Sequence, residues 1–247
     1  MKILCISDQI DPLVYSSSSK ERFADIDLVL CAGDLSTDYI DFVVSTINKP
    51  TYFVFGNHNL NDFPYYHRTA ENGGYIKTDR YELSHSHGAI YTGFKTKREQ
   101  NLLLAGASGS IRYNRGQCQY TDRQMFMSLL KMVPALMRNK IRYGRYLDIF
   151  LTHAPPLGIH DKKDPCHTGF KCYLWFLRKF KPKYMIHGHI HLYDIQDQRV
   201  TPFESTIVIN AFSHYILEIP DPIKKEKTKK QGETSRKSNG SDINSTK

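Results

Sequence analysis

The sequence predicts an α/β fold, with a parallel sheet covered by helices. Three short apolar runs, 2–6, 27–31 and 51–55, are β-branched or aromatic and end in Gly, Ser or Asp, as buried strands do. Between the second and third runs, residues 37–47 carry apolar side chains at helical spacing. Strands that alternate with helices are typical of a parallel sheet with helices on its faces.

The other elements of the first half are predicted from the same signals. The helix over 37–47 has Ser36 or Thr37 available as its N-cap. Residues 59–88 are rich in Tyr, Asn and His, which predicts a long surface excursion. Two further strands are expected near 90–94 and 101–105.

The second half continues with two helices and four strands. A helical period runs through 120–142, with a break expected at Pro134, and a second helix is expected over 168–180. Strands are predicted at 147–152, 184–187, 205–210 and 215–219, the last two antiparallel.

The C-terminal residues differ in composition from the rest of the chain. Residues 223–247 hold eight Lys and Arg against three Asp and Glu, so they carry +5 of the formal net charge of +9. Few apolar residues occur there, which predicts a disordered Lys-rich tail after a single domain over 1–222. A solvated tail is the favoured interpretation, and contact with nucleic acid or an anionic membrane is the alternative.

Several function classes are disfavoured by composition. No run approaches the roughly 20 apolar residues of a transmembrane segment, and the N-terminal apolar run is too short for a signal peptide. The five cysteines are irregularly spaced, and Cys166 and Cys172 are placed too loosely for a zinc knuckle. These observations favour the cytoplasm and leave the oligomeric state open.

Side chains of metal-ligating types follow five of the predicted strands. They are Asp8, Asp34, Asn57 with His58, His153, and His189 with His191. Ligands bind at the carboxyl ends of the strands in open α/β sheets. We therefore expect these side chains to gather at one edge of the fold.

The candidate ligands are two carboxylates, one amide oxygen and three imidazoles. Mixed oxygen and nitrogen donors suit Mn, Fe, Zn, Co or Ni better than Ca or Mg. Six ligands exceed the four of a tetrahedral ion, so two divalent ions are expected. Two ions beside two Asp residues leave a positive site that attracts phosphate, and they lower the pKa of water from 15.7 toward about 7. No Ser or Cys nucleophile is then required.

The order of these motifs resembles the calcineurin-like metallophosphoesterases over about residues 1–219. The motifs are Asp8, Gly33-Asp34, Gly56-Asn57-His58, His153 and Gly188-His189-Ile190-His191. The resemblance implies a β-sandwich of mixed sheets flanked by helices. It also implies hydrolysis of phosphomonoesters or phosphodiesters by a metal-bound hydroxide, with Mn²⁺ as the favoured ion.

The resemblance also assigns roles to the residues. Asp34 would bridge the two metals, and Asp8 and His191 would hold the first. The second metal would be held by Asn57, His153 and His189. His58 would approach the leaving oxygen as a general acid or a stabiliser of the transition state.

Two positions depart from the family pattern. Ile10 stands where the family usually has a histidine ligand, so the first metal site is expected to be weak unless Asp11 compensates. Asn59 replaces the usual acidic residue after His58, which removes an orienting partner for that imidazole. A non-catalytic binding scaffold with the same fold is therefore the alternative function.

Residues outside the motifs have weaker interpretations. Arg112 follows a Gly-Ala-Ser-Gly-Ser loop, where it is equally a bidentate phosphate clamp or a solvated arginine. His160 and His167 border the expected cleft and are interpreted mainly as surface histidines. His187 is interpreted as a strand or loop histidine.

Overall fold

Two β-sheets face each other at the centre of the molecule, and the computed structural model describes residues 1–66, 88–194 and 196–220. The first sheet consists of β1 (Lys2–Ser7), β2 (Leu28–Cys31), β3 (Thr51–Phe53), β4 (Ile90–Tyr91) and β13 (Ser213–Glu218). Its order is β13-β1-β2-β3-β4, and β13 pairs antiparallel to β1 whereas the other pairs are parallel.

The second sheet has a parallel centre with an antiparallel strand at each edge. Its strands are β5 (Thr96–Glu99), β6 (Leu102–Ala107), β9 (Ile149–Thr152), β10 (Tyr184–His187), β11 (Val200–Phe203) and β12 (Thr206–Asn210). They lie in the order β11-β12-β10-β9-β6-β5. A short ribbon of β7 (Ser110–Ile111) and β8 (Gln119–Tyr120) lies beside them.

In the described part of the chain, five helices lie on the outer sides of the two sheets. The first sheet packs against α2 (Thr37–Ile47) and α3 (Phe63–Tyr66), and the short α1 (Ser19–Arg22) contacts α2. The second sheet packs against α4 (Asp122–Tyr143) and α5 (Lys171–Phe180). The β-sandwich of mixed sheets flanked by helices is thereby confirmed. Among the described helices, none is both long enough and apolar enough to cross a bilayer.

The strand β1 shows why the apolar runs are continuous. Ile3 and Cys5 pack between the two sheets, whereas Leu4 and Ile6 pack in the layer under the helices. Successive strand residues point to opposite faces, so a strand that is covered on both faces needs apolar residues at every position.

The helix ends follow their capping residues. Ser36 is the N-cap of α2, and its Oγ accepts the Tyr39 N–H at 3.3 Å. Thr121 forms a capping box with Gln124 at the start of α4.

The helix break expected at Pro134 is wrong, because α4 continues through this residue. A proline in a helix removes one backbone N–H, and the buried face of α4 outweighs that loss.

Some predictions differ from the structure or lie outside the described residues. The helix expected from residue 168 begins at Lys171, because Phe170 is extended and forms a bridge with Pro156. The strand over 206–210 is antiparallel only to β11 and parallel to β10. Most of the predicted 59–88 excursion and the whole predicted tail lie outside the described residues.

Candidate metal centre

The carboxyl ends of β1, β2, β3, β9 and β10 meet at one edge of the sandwich. The first three strands belong to one sheet and the last two to the other. Backbone hydrogen bonds join them, from Asp8 N to Gly33 O at 3.1 Å and from Gly188 N to His153 O at 2.9 Å. The His189 N–H crosses between the sheets to the Asp8 carboxylate, at 2.9 Å from each oxygen. Residues far apart in sequence are therefore held at one rim.

A buried group of donor atoms lies at this rim. Ligand atoms of Asp34, His153 and His189 all lie within 4.8 Å of one another. The His153 Nε2 is 3.4 Å from Asp34 Oδ2, and the His153 and His189 ring centroids are 4.7 Å apart. Asn57 joins the group with its Oδ1 at 3.1 Å from His153 Nε2. The four residues predicted to surround the second metal are thus adjacent.

The hydrogen bonds of the two imidazoles leave one nitrogen of each directed to the group. His153 Nδ1 donates to the Ala32 carbonyl at 2.9 Å, so Nε2 of the neutral ring carries the lone pair. That lone pair faces the Asn57 and Asp34 oxygens, which are hydrogen-bond acceptors as well. The contact between His153 Nε2 and these oxygens is favourable only when a proton or a cation lies between the acceptor atoms. His189 Nε2 donates to the Cys166 carbonyl at 2.6 Å, which leaves Nδ1 free. The donor set therefore fits a divalent cation.

Asp34 attracts a positive charge to this position, which is a proton on His153 Nε2 unless a cation displaces it. Burial lowers the pKa of His153, but the Asp34 carboxylate outweighs burial and raises it to about 9. Burial, with the charge of His153, lowers the pKa of His189 to about 3, so this ring is neutral. Neutral imidazole is the metal-binding form of histidine.

The pKa values of Asp8 and Asp34 shift in opposite directions at the same buried rim. Burial raises the pKa of Asp8, although His153 and the His189 N–H act against it. Burial also raises the pKa of Asp34, but the attraction of His153 and a hydrogen bond from the His58 N–H outweigh it, so this pKa lies below the usual range. The His58 N–H donates to Asp34 Oδ1 at 2.7 Å. Asp34 is therefore an ionised carboxylate at the centre of the group.

Of the residues predicted for the first metal, Asp8 is buried but His191 is less enclosed. His191 Nε2 is 3.9 Å from Asp8 Oδ1, and its side chain is 40% exposed. The ring is positioned by Phe212, stacked at 4.9 Å between centroids, and by the Tyr193 hydroxyl at 2.6 Å from Nδ1. Neither aromatic residue is identified by the motifs. No periodic signal in the sequence marks them either.

The missing ligand at Ile10 is not replaced by its neighbour. Both oxygens of Asp11 are already bonded, Oδ1 to the Leu13 N–H and Oδ2 to Ser213 Oγ and His214 Nδ1. Ile10 itself is 48% exposed. The predicted first site therefore has fewer protein donors than the second.

Glycine is required where the ligands approach the backbone. A Cβ on Gly56 would overlap the Asp34 carboxylate, with its Cγ at 2.6 Å, and would lie 2.7 Å from His153 Cε1. A Cβ on Gly188 would overlap the Asp8 carboxylate. The glycines of the motifs thus make space for the ligand side chains.

The remaining predicted residues lie at the edge of the group. His58 is exposed, and Asn59 donates from Nδ2 to the Asp34 carbonyl at 2.9 Å. Arg112 is exposed, and its Nη2 donates to the Gln119 carbonyl at 3.3 Å rather than to any candidate ligand. The sequence did not single out Tyr113, whose hydroxyl accepts from Asn57 Nδ2 at 3.2 Å.

Comparisons with known proteins agree with this fold. The family model of the calcineurin-like phosphoesterases matches residues 1–193, and the chain belongs to this family. No curated protein matches the chain. The solved structure of TT1561 from Thermus thermophilus is 15% identical, covers 86% of this chain and 89% of its own, and superposes with a TM-score of 0.56.

Two further solved structures are similar over most of the chain. A novel archaeal phosphodiesterase is 15% identical and covers 91% of this chain and 96% of its own, with a TM-score of 0.39. A single mutant of Vps29 from Entamoeba histolytica is 14% identical and covers 90% of this chain and 87% of its own, with a TM-score of 0.37.

Proposed function

We propose that the chain is a metal-dependent phosphoesterase that hydrolyses phosphomonoesters or phosphodiesters. The observation that carries the proposal is the buried group of Asp34, His153 and His189, whose ligand atoms lie within 4.8 Å of one another. The facing lone pairs of that group suit a cation. Membership of the calcineurin-like phosphoesterase family supports phosphate esters as the substrate class.

In this proposal the candidate ligands divide between two ions. Asp34 is shared, Asn57, His153 and His189 complete the second site, and Asp8 with His191 forms the first. When bound, two divalent ions stabilise charge on phosphoryl oxygens and lower the pKa of water, and Mn²⁺ is the ion we favour. The buried protein atoms keep the second-site donors in place, because the His153 and His189 imidazoles each also donate a hydrogen bond to a backbone carbonyl.

His58 is the proposed proton donor to the leaving oxygen. Its side chain is exposed at the rim, and its backbone N–H is held by Asp34, which couples its position to the ligand group. Arg112 is a proposed substrate contact, since a guanidinium can turn from the Gln119 carbonyl to a phosphate.

The deciding experiment measures hydrolysis by the purified chain with Mn²⁺. The substrates are p-nitrophenyl phosphate and bis-p-nitrophenyl phosphate. We expect His58→Ala to lower kcat by about 10²–10⁴-fold, which is the usual contribution of a general acid. Asn59→Asp should raise kcat by restoring a carboxylate beside the imidazole. If neither substrate is hydrolysed above the His58→Ala background, the chain is not this enzyme.

The substrate-binding role of Arg112 has a matched control in the same loop. Arg112→Ala should raise KM, whereas Arg115→Ala, also at an exposed arginine, should leave it unchanged. Equal KM values for the two variants would remove Arg112 from the site.

A non-catalytic scaffold is the second candidate, and the donor-poor first site favours it. Metal analysis separates the two functions, because a scaffold would hold at most one ion and show no turnover. Ile10→His restores the family's ligand type. We expect it to raise the Mn²⁺ stoichiometry toward two and to increase turnover if the chain is an enzyme.

We also propose the cytoplasm as the compartment. The five cysteines are free thiols, and a reducing environment keeps thiols unpaired. A role of the Lys-rich tail in contacting nucleic acid or anionic membrane stays a minor proposal, which deletion of residues 223–247 would test through salt-sensitive binding.

A further inference from the structure

A second group of potential ligands lies in the loop over 158–169. Asp164 Oδ1 is 2.8 Å from Cys166 Sγ and 2.7 Å from His167 Nδ1, and those two atoms are 3.5 Å apart. Among the described residues, only this group and the Asp34 group bring three such ligand atoms within 4.8 Å of one another. The two groups share no side chain.

We propose that Asp164, Cys166 and His167 bind a thiophilic divalent cation of the Zn²⁺ type, separate from the proposed catalytic pair. Zinc bonds of about 2.3 Å to sulfur and about 2.0–2.1 Å to nitrogen, at a tetrahedral angle, place the two ligand atoms about 3.5 Å apart. The Cys166 and His167 atoms already have this separation.

The third ligand needs only a small movement. In tetrahedral zinc an oxygen ligand lies about 3.3 Å from a nitrogen ligand and about 3.5 Å from a sulfur ligand. The Asp164 oxygen must therefore withdraw by about 0.6 Å from His167 and by about 0.7 Å from Cys166. The Asp164 side chain is 42% exposed and has room to do so. Three protein ligands leave one coordination position for water.

The chemistry of the group is that of a transition-metal site. A thiolate and a carboxylate together balance the +2 charge of the ion, and the imidazole binds as a neutral ligand. Thiolate selects zinc over magnesium or calcium, so the site differs in preference from the oxygen- and nitrogen-based centre. Cys166 is the only one of the five cysteines that is not buried.

The loop backbone is held in place independently of any ion. Asp161 accepts the Gly158 N–H at 2.9 Å and the Gly169 N–H at 3.1 Å, which closes the base of the loop. Residues on a preorganised loop lose less conformational freedom on binding, which increases affinity. The group adjoins the candidate centre, since Cys166 O accepts from His189 Nε2 and the His167 and His189 ring centroids are 5.3 Å apart.

Cobalt titration of the full-length protein tests the proposal. Co²⁺ bound to a thiolate has a sulfur-to-metal charge-transfer band in the near ultraviolet, and the proposed catalytic ligands include no sulfur. We expect this band to rise to one thiolate-bound Co²⁺ per chain in the wild type and to disappear in Cys166→Ser. The matched control Cys172→Ser changes a buried thiol and should keep the band.

The outcomes are distinguishable without measuring turnover. A wild type that shows no band at saturating Co²⁺, or a band that survives Cys166→Ser, overturns the proposal. Asp164→Asn, which keeps the thiol, should shift the band and weaken Co²⁺ binding, and it serves if Cys166→Ser does not fold. An unchanged titration for folded Asp164→Asn also overturns the site. Zinc analysis should find one ion fewer in Cys166→Ser than in the wild type.

Discussion

Gly56→Ala isolates the contribution of ligand placement to activity. The new Cβ would lie 2.6 Å from Asp34 Cγ and 2.7 Å from His153 Cε1, and the ordinary van der Waals range begins at 3.4 Å. The new Cβ would also overlap Asp34 Oδ1 directly. The ring must therefore move by about 0.7 Å and the carboxylate by more, or the backbone must shift. Because Gly56 does not have a positive φ, the perturbation is steric rather than conformational.

The magnitude follows from the size of this displacement. Metal and catalytic groups need to be held within about 0.5 Å of their working positions, and misplacement by about 1 Å costs about 10²-fold in rate. Overpacking a buried site also lowers the free energy of unfolding by about 1–3 kcal/mol. We therefore expect a folded protein with about 10²-fold lower kcat and weaker Mn²⁺ binding.

The assay combines p-nitrophenyl phosphate turnover, Mn²⁺ titration and chemical denaturation. The matched control is Gly144→Ala, where no atom lies within 4 Å of the new Cβ but φ is +73°. Left-handed backbone costs a non-glycine residue about 1–2 kcal/mol, so this control loses similar stability without touching the ligands. If Gly56→Ala keeps wild-type turnover and Mn²⁺ affinity, the close approach does not position the ligands and the reasoning is refuted.

Three further predictions concern stability. Ser36→Ala removes the N-cap of α2 and should lower the free energy of unfolding by about 1 kcal/mol in urea denaturation. An unchanged free energy of unfolding would show that the cap does not stabilise the protein. Phe176→Ala, which removes a ring stacked on Phe150 at 4.3 Å between centroids, should cost about 3–5 kcal/mol in the same assay, and a loss below about 1 kcal/mol would contradict the packing. The third prediction concerns pH. Burial raises the pKa of Asp11, but hydrogen bonds with Ser213 and His214 outweigh burial and lower it. The Asp11 carboxylate therefore binds a proton at higher pH in the unfolded chain than in the folded one, so the free energy of unfolding should fall as the pH drops below about 4. The fall should be smaller in Asp11→Asn, and equal pH profiles for the two proteins would contradict this prediction.

The strands and the gathering of the candidate ligands at one rim were predictable because both leave local signals. Apolar runs such as 2–6 are continuous since both faces of β1 are covered. Motif residues such as Asp34 and His153 follow strand ends, and a parallel strand always directs its carboxyl end to the same edge of its sheet. The α4 helix shows the limit of local rules, because packing along its buried face overrides the expected break at Pro134.

The aromatic residues that contact the candidate ligands were not predictable, because they leave no local signal in the sequence. Tyr113, Tyr193 and Phe212 contact candidate ligands through the tertiary arrangement of loops, and an aromatic residue in a loop has no distinctive pattern. Likewise, Asp11 follows Ile10 directly and has the right chemistry for a ligand. Only the fold shows that both of its oxygens are bonded elsewhere.

The amino-acid sequence by itself determined the element order, the buried strands and the set of candidate donor residues, because these depend on residue type and local spacing. Tertiary structure decided which donors face one another across the two sheets, which nitrogen of each imidazole is free, and which neighbouring groups are already bonded. Those properties depend on distances between segments as much as 203 residues apart, as between Asp11 and His214. Such distances are set by the packing of the whole sandwich rather than by any local pattern.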